Sequence, residues 1–157
     1  MKARGFTLIE SLVALVVLSV GLLGAAATLL GSLAAHAESL RRAVALELVR
    51  DVANRIRTNP SGRAAYDTDG TEAGVDCAVS ACDALALAAT DREHFVVAAR
   101  AAFPLADTLA AIRFEPAIGR AAPDRYEITL RFRAWSQPDV MDDVALTVLA
   151  HAPVAGA

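Results

Sequence analysis

Hydrophobic and polar positions divide the N-terminal part of the chain into two halves. Residues 11–35 include no charged side chain, and these 25 positions exceed the roughly 20 that a helix needs to cross a bilayer. Residues 6–59 contain no proline and are rich in helix-forming residues. The pattern predicts one continuous helix, with an apolar segment over residues 6–35 and a polar continuation over residues 36–59.

The continuation is amphipathic, and its apolar positions recur about every four residues. The predicted stripe consists of Leu40, Val44, Leu48, Val52 and Ile56, and it is widened by Val49 and Ala53. We expect this stripe to pack against a globular head. Pro60 and Gly62 are expected to end the helix.

Residues 60–157 predict that head. Asp83 is placed to cap a second helix that starts near Ala84, continues or restarts near Asp91, and ends before Pro104. Its expected buried residues are Leu85, Leu87, Phe95, Val96, Ala99 and Phe103. Three segments at 111–115, 126–134 and 143–150 follow, and the last two alternate strictly between apolar and polar residues. The predicted fold class is α+β, with one long N-terminal helix packed on a small antiparallel sheet.

The charge distribution bears on partners and on orientation. The formal net charge is −3, but Lys2 and Arg4 precede the apolar segment and the chain from His36 onward sums to −4 (13 positive, 17 negative). A polybasic nucleic-acid surface is therefore not expected. Because Lys and Arg flanking a membrane helix stay on the cytoplasmic side, we expect the head to lie outside the cytoplasm.

The chain has two cysteines, Cys77 and Cys82. A zinc site needs four ligands at recognisable spacings, and the three histidines are scattered singly. In an oxidising compartment, we expect the two cysteines to form a small disulfide loop worth about 2 kcal/mol.

Residues that could carry other chemistry are few. The segment 67–72, DTDGTE, superficially resembles the start of a calcium loop, but it lacks the third early ligand and the glutamate at position 12. Arg131, Arg133 and Trp135 could meet a partner, although a solvated sheet face explains the arginines better. We find no phosphate loop, nucleophile elbow or metal-spaced cluster, so we expect no enzyme activity and no cofactor.

Glu10 is the unusual residue of the apolar start. A charge inside a membrane segment costs about 2.5–3.5 kcal/mol on insertion scales, so it usually has a partner or a function. A cleaved secretory signal would have a shorter apolar core, and a plain signal anchor would leave Glu10 unexplained.

The stretch GFTLIE, behind a short basic leader and ahead of a long apolar helix, resembles the class III signal of type IV prepilins and pseudopilins. The resemblance implies that prepilin peptidase cuts between Gly5 and Phe6, that Phe6 becomes N-methylated, and that Glu10 is the assembly glutamate. It also implies the type IV pilin-like fold. The domains would be a leader 1–5, a transmembrane and filament-core helix 6–35, its amphipathic continuation 36–59 and a pilin head 60–157.

The segment ALELVRDVANRIRTNP narrows the resemblance to the PilV-like minor pilins (type IV pilus modification protein PilV). This resemblance implies a minor pilin that acts in pilus assembly, initiation or modification, and thereby in twitching motility and adhesion. Its partners would be other minor and major pilins, reached through the N-terminal helix, with a tip adhesin as a further candidate. The subunit would cross the inner membrane once, with its head in the periplasm, and then enter the pilus. Two alternatives stay open: a minor pseudopilin of type II secretion, and a pilus-borne module that binds surfaces or DNA.

Overall fold

The computed structural model describes residues 7–70, 77, 81–105, 107–118, 122–134 and 139–150. Its elements, in chain order, are helix α1 (Leu8–Thr58), a 3₁₀ segment (Pro60–Tyr66), helix α2 (Ala84–Ala102) and strands β1 (Leu109–Glu115), β2 (Asp124–Arg133) and β3 (Met141–Ala150). The predicted α+β class, with one long helix on a small antiparallel sheet, is confirmed.

Helix α1 is continuous for 51 residues and is about 76 Å long at 1.5 Å per residue. It ends at Thr58 because Asn59 leaves the helical conformation (φ −124°, ψ 65°) and Pro60 follows. Arg55 and Arg57 lie in the last turn, where their charges oppose the negative end of the helix dipole. The end of the helix therefore lies within two residues of its predicted position.

The buried face of α1 differs from the predicted stripe. The buried residues are Ala45, Val49, Val52, Ala53 and Ile56. Leu40 and Val44 are 55% and 47% exposed. Residues spaced by four turn by about 40° around the helix axis at each step. The N-terminal members of the predicted stripe, Leu40 and Val44, therefore point away from the head. The expectation that they are buried is wrong.

Helix α2 begins where predicted. The Asp83 carboxylate accepts hydrogen bonds from the backbone N–H groups of Leu85 and Ala86, at 3.1 and 2.8 Å. The buried residues of the helix are Ala88, Asp91, Phe95, Val96 and Ala99. Leu85 and Leu87 are 57% and 40% exposed, so their predicted burial is wrong. Leu85 lies in the first turn, and Leu87 lies about 100° around the axis from Ala88.

The three strands form one antiparallel sheet in the order β1–β2–β3. The central strand alternates as predicted: Tyr126, Ile128, Leu130 and Phe132 are buried, and the residues between them face outward. Both helices cover the buried side of the sheet, where Phe132 stacks on Phe103, which follows α2, with ring centroids 4.3 Å apart. The core thus lies between the sheet and the C-terminal half of α1, together with α2.

Candidate assembly site

The predicted processing residues Gly5 and Phe6 lie outside the described residues. The structure shows the start of α1 directly after them. Thr7 is extended, and its carbonyl oxygen accepts hydrogen bonds from the N–H groups of Glu10 and Ser11, at 3.1 and 3.2 Å. Glu10 is therefore an exposed carboxylate in the first helical turn, where the helix dipole favours a negative charge.

The N-terminal half of α1 exposes its apolar side chains on all sides. Helix α1 is the one described helix that is long and apolar enough to cross a membrane, and its most apolar window has a mean hydropathy of 2.5 and no buried residue. Leu8 and Leu23 are 84% and 72% exposed. A continuous apolar surface of this size is unfavourable in water, so lipid or other helices must cover it.

Three polar side chains in this half have local partners. The hydroxyl groups of Ser19, Thr28 and Ser32 each donate to the carbonyl oxygen three residues earlier, at 2.9, 2.8 and 2.8 Å. In an apolar environment an unpaired hydroxyl is costly, and these bonds remove that cost within the helix itself. The segment is therefore compatible with a lipid surrounding despite its polar residues.

The glycines of the segment pack against none of the residues that the structure describes. A Cβ atom added at Gly21, Gly24 or Gly31 would meet no atom within 4 Å. Small residues at such positions allow the backbones of neighbouring helices to approach closely.

A cluster of polar side chains joins the C-terminal end of α1 to α2; we call Arg55, Asn59, Tyr66 and Asp91 the junction cluster. The Asp91 carboxylate accepts from the Arg55 guanidinium and from the Tyr66 hydroxyl, both at 2.9 Å. The Asn59 amide donates to the Tyr66 hydroxyl at 3.2 Å and to the carbonyl oxygen of Ala84 at 2.8 Å. Each residue thereby ties one element to another.

The junction cluster gives hydrogen-bond partners to charged and polar groups that would be costly to bury without them. Asp91 is only 4% exposed, and Tyr66 is fully buried. Burial raises the pKa of Tyr66 well above its ordinary value, and the neighbouring Asp91 adds to that effect, so its hydroxyl stays protonated as a donor. The pKa of Arg55 is also raised, by its hydrogen bonds to Asp51 and Asp91.

A second clamp joins the 3₁₀ segment to β2. Arg63, which has a positive φ of 37°, donates through Nε and Nη2 to the two carboxylate oxygens of Asp124, at 2.8 and 3.0 Å. The N–H of Ala117 donates to the same carboxylate at 2.9 Å. Asp124 is 1% exposed, and burial alone would raise its pKa; the bonds from Arg63 and Ala117 outweigh burial and hold that pKa below its usual value.

Sequence reasoning missed the roles of Asp91, Tyr66, Arg63 and Asp124. Asp91 carried a usable signal, because it shares a helical face with Ala88 and Phe95 and is the charged residue there. The Arg63–Asp124 pair spans 61 residues in the sequence, and nothing in the local pattern indicates it.

Cys77 and Cys82 form a disulfide, with Cα atoms 5.5 Å apart. The Cys77 sulfur lies 3.1 Å from the Thr90 hydroxyl oxygen on α2. The loop is thereby attached beside the first turns of α2, close to the junction cluster.

The remaining candidates do not converge on a site. Asp67 accepts a hydrogen bond from the N–H of Phe114, and Thr68 pairs with Ile112, so this part of the calcium-like segment supports β1. Among the described residues, no group of three or more His, Cys, Asp or Glu side chains could hold a metal ion. Arg133 forms an ion pair with Asp107, and Trp135 lies outside the described residues.

Comparison with known proteins agrees with this geometry. Residues 1–26 match the model of the prokaryotic N-terminal methylation motif, and residues 27–93 match the Tt1218-like model, described as type IV pilin Tt1218. No curated protein and no solved structure matches the chain significantly.

The two matched regions are adjacent, and together they cover α1, the 3₁₀ segment and the first half of α2. The apolar half of α1 falls mainly in the methylation motif, and the junction cluster falls in the pilin match. The chain therefore carries a prepilin N-terminal methylation motif and has the fold of a type IV pilin.

Proposed function

We propose that this chain is a minor pilin of a type IV pilus, PilV-like in type, which acts in pilus assembly, initiation or modification. One observation carries the proposal: a single helix has an apolar, unburied half with Glu10 in its first turn and a second half that is packed into a folded head. A subunit of this shape can be held in a membrane and later packed in a filament by the same segment.

Cleavage between Gly5 and Phe6 would give Glu10 an ionic partner. The new amine of Phe6 would be cationic and would lie four residues, about one helical turn, from Glu10. In the proposed assembly, Glu10 of one subunit pairs with the terminal amine of its neighbour, and this contact sets the register as the subunit enters the filament. The apolar surface of α1 then exchanges lipid for the helices of other pilins.

The head supports the same proposal. Its disulfide is of the kind that persists in an oxidising compartment, and Lys2 and Arg4 favour a cytoplasmic N-terminus. Both observations support a head that lies in the periplasm. Arg55 and Asn59, from the segment that resembles PilV-like proteins, contribute contacts that hold α2. The expected partners are prepilin peptidase, other minor and major pilins and a tip adhesin.

The test compares Glu10→Val with Ser11→Ala in cells that express the full-length chain. We expect both variants to lose residues 1–5 and to gain the N-terminal methyl group, measured by mass spectrometry. Glu10→Val should then be absent from sheared pili, because it removes the counter-charge, while Ser11→Ala enters them normally. Equal incorporation of the two variants would contradict the role of Glu10.

The same cells distinguish a pilus from a secretion system. Deletion of the gene should reduce surface pili, and blocking pilus retraction should restore them. An export defect with normal pili would instead assign the chain to a type II secretion pseudopilus. Normal pili combined with lost adhesion would favour a binding role for the head.

A further inference from the structure

The two edges of the sheet differ in whether other described residues cover them. At the β1 edge, Thr68 and Ile112 exchange two backbone hydrogen bonds, at 2.8 and 2.9 Å. The N–H of Phe114 is taken by the Asp67 carboxylate at 3.1 Å. Residues 67–70 thus cover this edge, and they block the addition of a strand beside β1.

The β3 edge is not covered by any of the described residues. The bond from Ala134 N–H to the carbonyl oxygen of Val140 sets the phase of the β2–β3 ladder, so residues 142, 144, 146, 148 and 150 direct their backbone groups toward β2. The alternate residues Ala145, Thr147 and Leu149 direct their N–H and C=O groups away from the sheet. Within the described part of the chain, no hydrogen bond reaches these groups.

One end of this edge is closed by a side chain. The Asp142 carboxylate accepts from the outward N–H of Asp143 at 3.1 Å. Beyond it, residues 144–150 read VALTVLA and contain no charge, proline or glycine. Natural edge strands usually carry such residues because they prevent pairing with another chain. The edge from Ala145 to Leu149 is therefore built to accept a strand.

We propose that the β3 edge receives an extended strand from the head of a neighbouring, non-identical pilin. The added strand would bind through backbone hydrogen bonds, because Ala145, Thr147 and Leu149 each direct an N–H and a C=O group outward. The identity of the partner as a pilin rests on the proposed function.

The direction of α1 argues against an antiparallel pair of two copies of this chain. Arg42 on α1 pairs with Asp142 at the start of β3, at 2.5 Å, and Arg63 beyond the end of α1 pairs with Asp124, which lies opposite Ala150. Helix α1 therefore runs along β3 in the same direction. Antiparallel pairing of two β3 edges needs a two-fold axis normal to the sheet, which would reverse one α1. The two apolar segments would then point in opposite directions and could not enter one membrane.

Basic side chains on α1 indicate which residues the partner strand should carry. Arg50 and Arg57 lie within about 80° of Arg42 around the helix axis, on the flank of α1 that faces β3. Arg57 bonds to the neutral amide of Asn54. An added strand would lie below this positive flank, so we expect acidic side chains on its helix-facing side. Its other side would lie beside Ala145 and Leu149, where apolar residues fit; Leu149 is 58% exposed.

The experiment uses the full-length chain in its own cells, with the photo-crosslinker p-benzoylphenylalanine placed at Leu149. The control position is Arg113, which is exposed on the same sheet face but in β1. The expected result is a crosslinked product at Leu149, and not at Arg113, whose second component carries its own class III signal. Mass spectrometry of the crosslinked peptide should place it in an extended acidic and apolar segment.

Thr147→Pro removes an outward N–H without removing a bond to β2, and Thr147→Ala is its matched control. We expect Thr147→Pro to lower the yield of the crosslinked product at least about tenfold, equivalent to about 1.4 kcal/mol, and Thr147→Ala to leave it unchanged. Protease resistance of the head shows whether Thr147→Pro folds. If it does not, Ala145→Lys, which charges the same exposed edge, replaces it with the same expected loss.

The inference would be overturned by a product formed with a second copy, by a product formed with residues 151–157 of the same chain, or by a yield that neither edge variant lowers. No product from a chain that is processed and found in sheared pili would overturn it too, while the proposed function stands. A chain that is neither processed nor found in pili refutes the proposed function, and with it the assignment of the partner as a pilin.

Discussion

The two halves of α1 follow the same helical geometry but have different surroundings. In residues 8–33 nearly every side chain is exposed, whereas five residues between Ala45 and Ile56 are almost completely buried in the head. The described remainder of the chain does not cover the first half. The second half supplies part of the core. The difference teaches that stability of the head and incorporation through the apolar half can be separated by mutation.

The largest expected effect comes from the core half. Ile56→Ala should lower the free energy of unfolding of the head by about 3 kcal/mol, because Ile56 is fully buried and the cavity cannot be filled cheaply. Leu40→Ala, on the same helix but 55% exposed, should change it by less than about 0.5 kcal/mol. Urea denaturation of the full-length chain in detergent measures both. Equal losses would mean that the head extends further up α1.

A pair of glycine variants compares the two halves directly. A Cβ atom at Gly62, beside the junction cluster, would lie 2.7 Å from the Tyr66 ring and 2.9 Å from the Ala88 side chain, so Gly62→Ala should cost about 2 kcal/mol. Gly24→Ala meets open space and should leave head stability unchanged. Any effect of Gly24→Ala should appear in pilus incorporation, measured in sheared pili. A stability loss in Gly24→Ala would show an unexpected contact within the chain.

The two acidic partners of Arg55, Asp91 and Asp51, should contribute unequally to the stability of the head. Asp91→Ala leaves the buried Tyr66 hydroxyl and the Arg55 guanidinium without their acceptor, and should cost about 2 kcal/mol. Asp51→Ala removes an exposed ion pair to the same arginine and should cost less than about 0.5 kcal/mol. Thermal unfolding of the two variants, followed by circular dichroism, checks the difference. Similar losses would contradict the assignment of Asp91 as the residue that holds the helices together.

The smallest expected effect is a change in acid sensitivity. The folded pKa of Asp124 is depressed, so its contribution is present above its unfolded pKa, near 3.8, and is lost as the pH falls through the folded value. Asp124→Asn should therefore be less stable than the wild type at neutral pH, and the difference should shrink below about pH 4. Urea midpoints measured between pH 7 and pH 3 test this. A difference independent of pH would mean that the Arg63 ion pair does not stabilise the head.

The regular elements could be predicted because their signals are local. The absence of proline over residues 6–59 and the alternation in β2 each depend on neighbours in the sequence, and both elements are found within a few residues of the expected positions. The buried faces were predicted less well. Leu40, Val44, Leu85 and Leu87 have the right residue type, but their exposure depends on where the other elements end.

The sequence by itself determined that the chain has one long helix with an apolar half, a capped second helix, a three-stranded sheet and a cysteine pair. It also placed Glu10 in the first turn of α1, because the period of a helix and the alternation of a strand are written in adjacent residues. Only the tertiary structure decided that Asp91 meets Tyr66 and Arg55 and that Arg63 meets Asp124. It also decided that the described residues cover one edge of the sheet and leave the other uncovered. These features join residues far apart in the chain, and their geometry exists only once the elements have packed together.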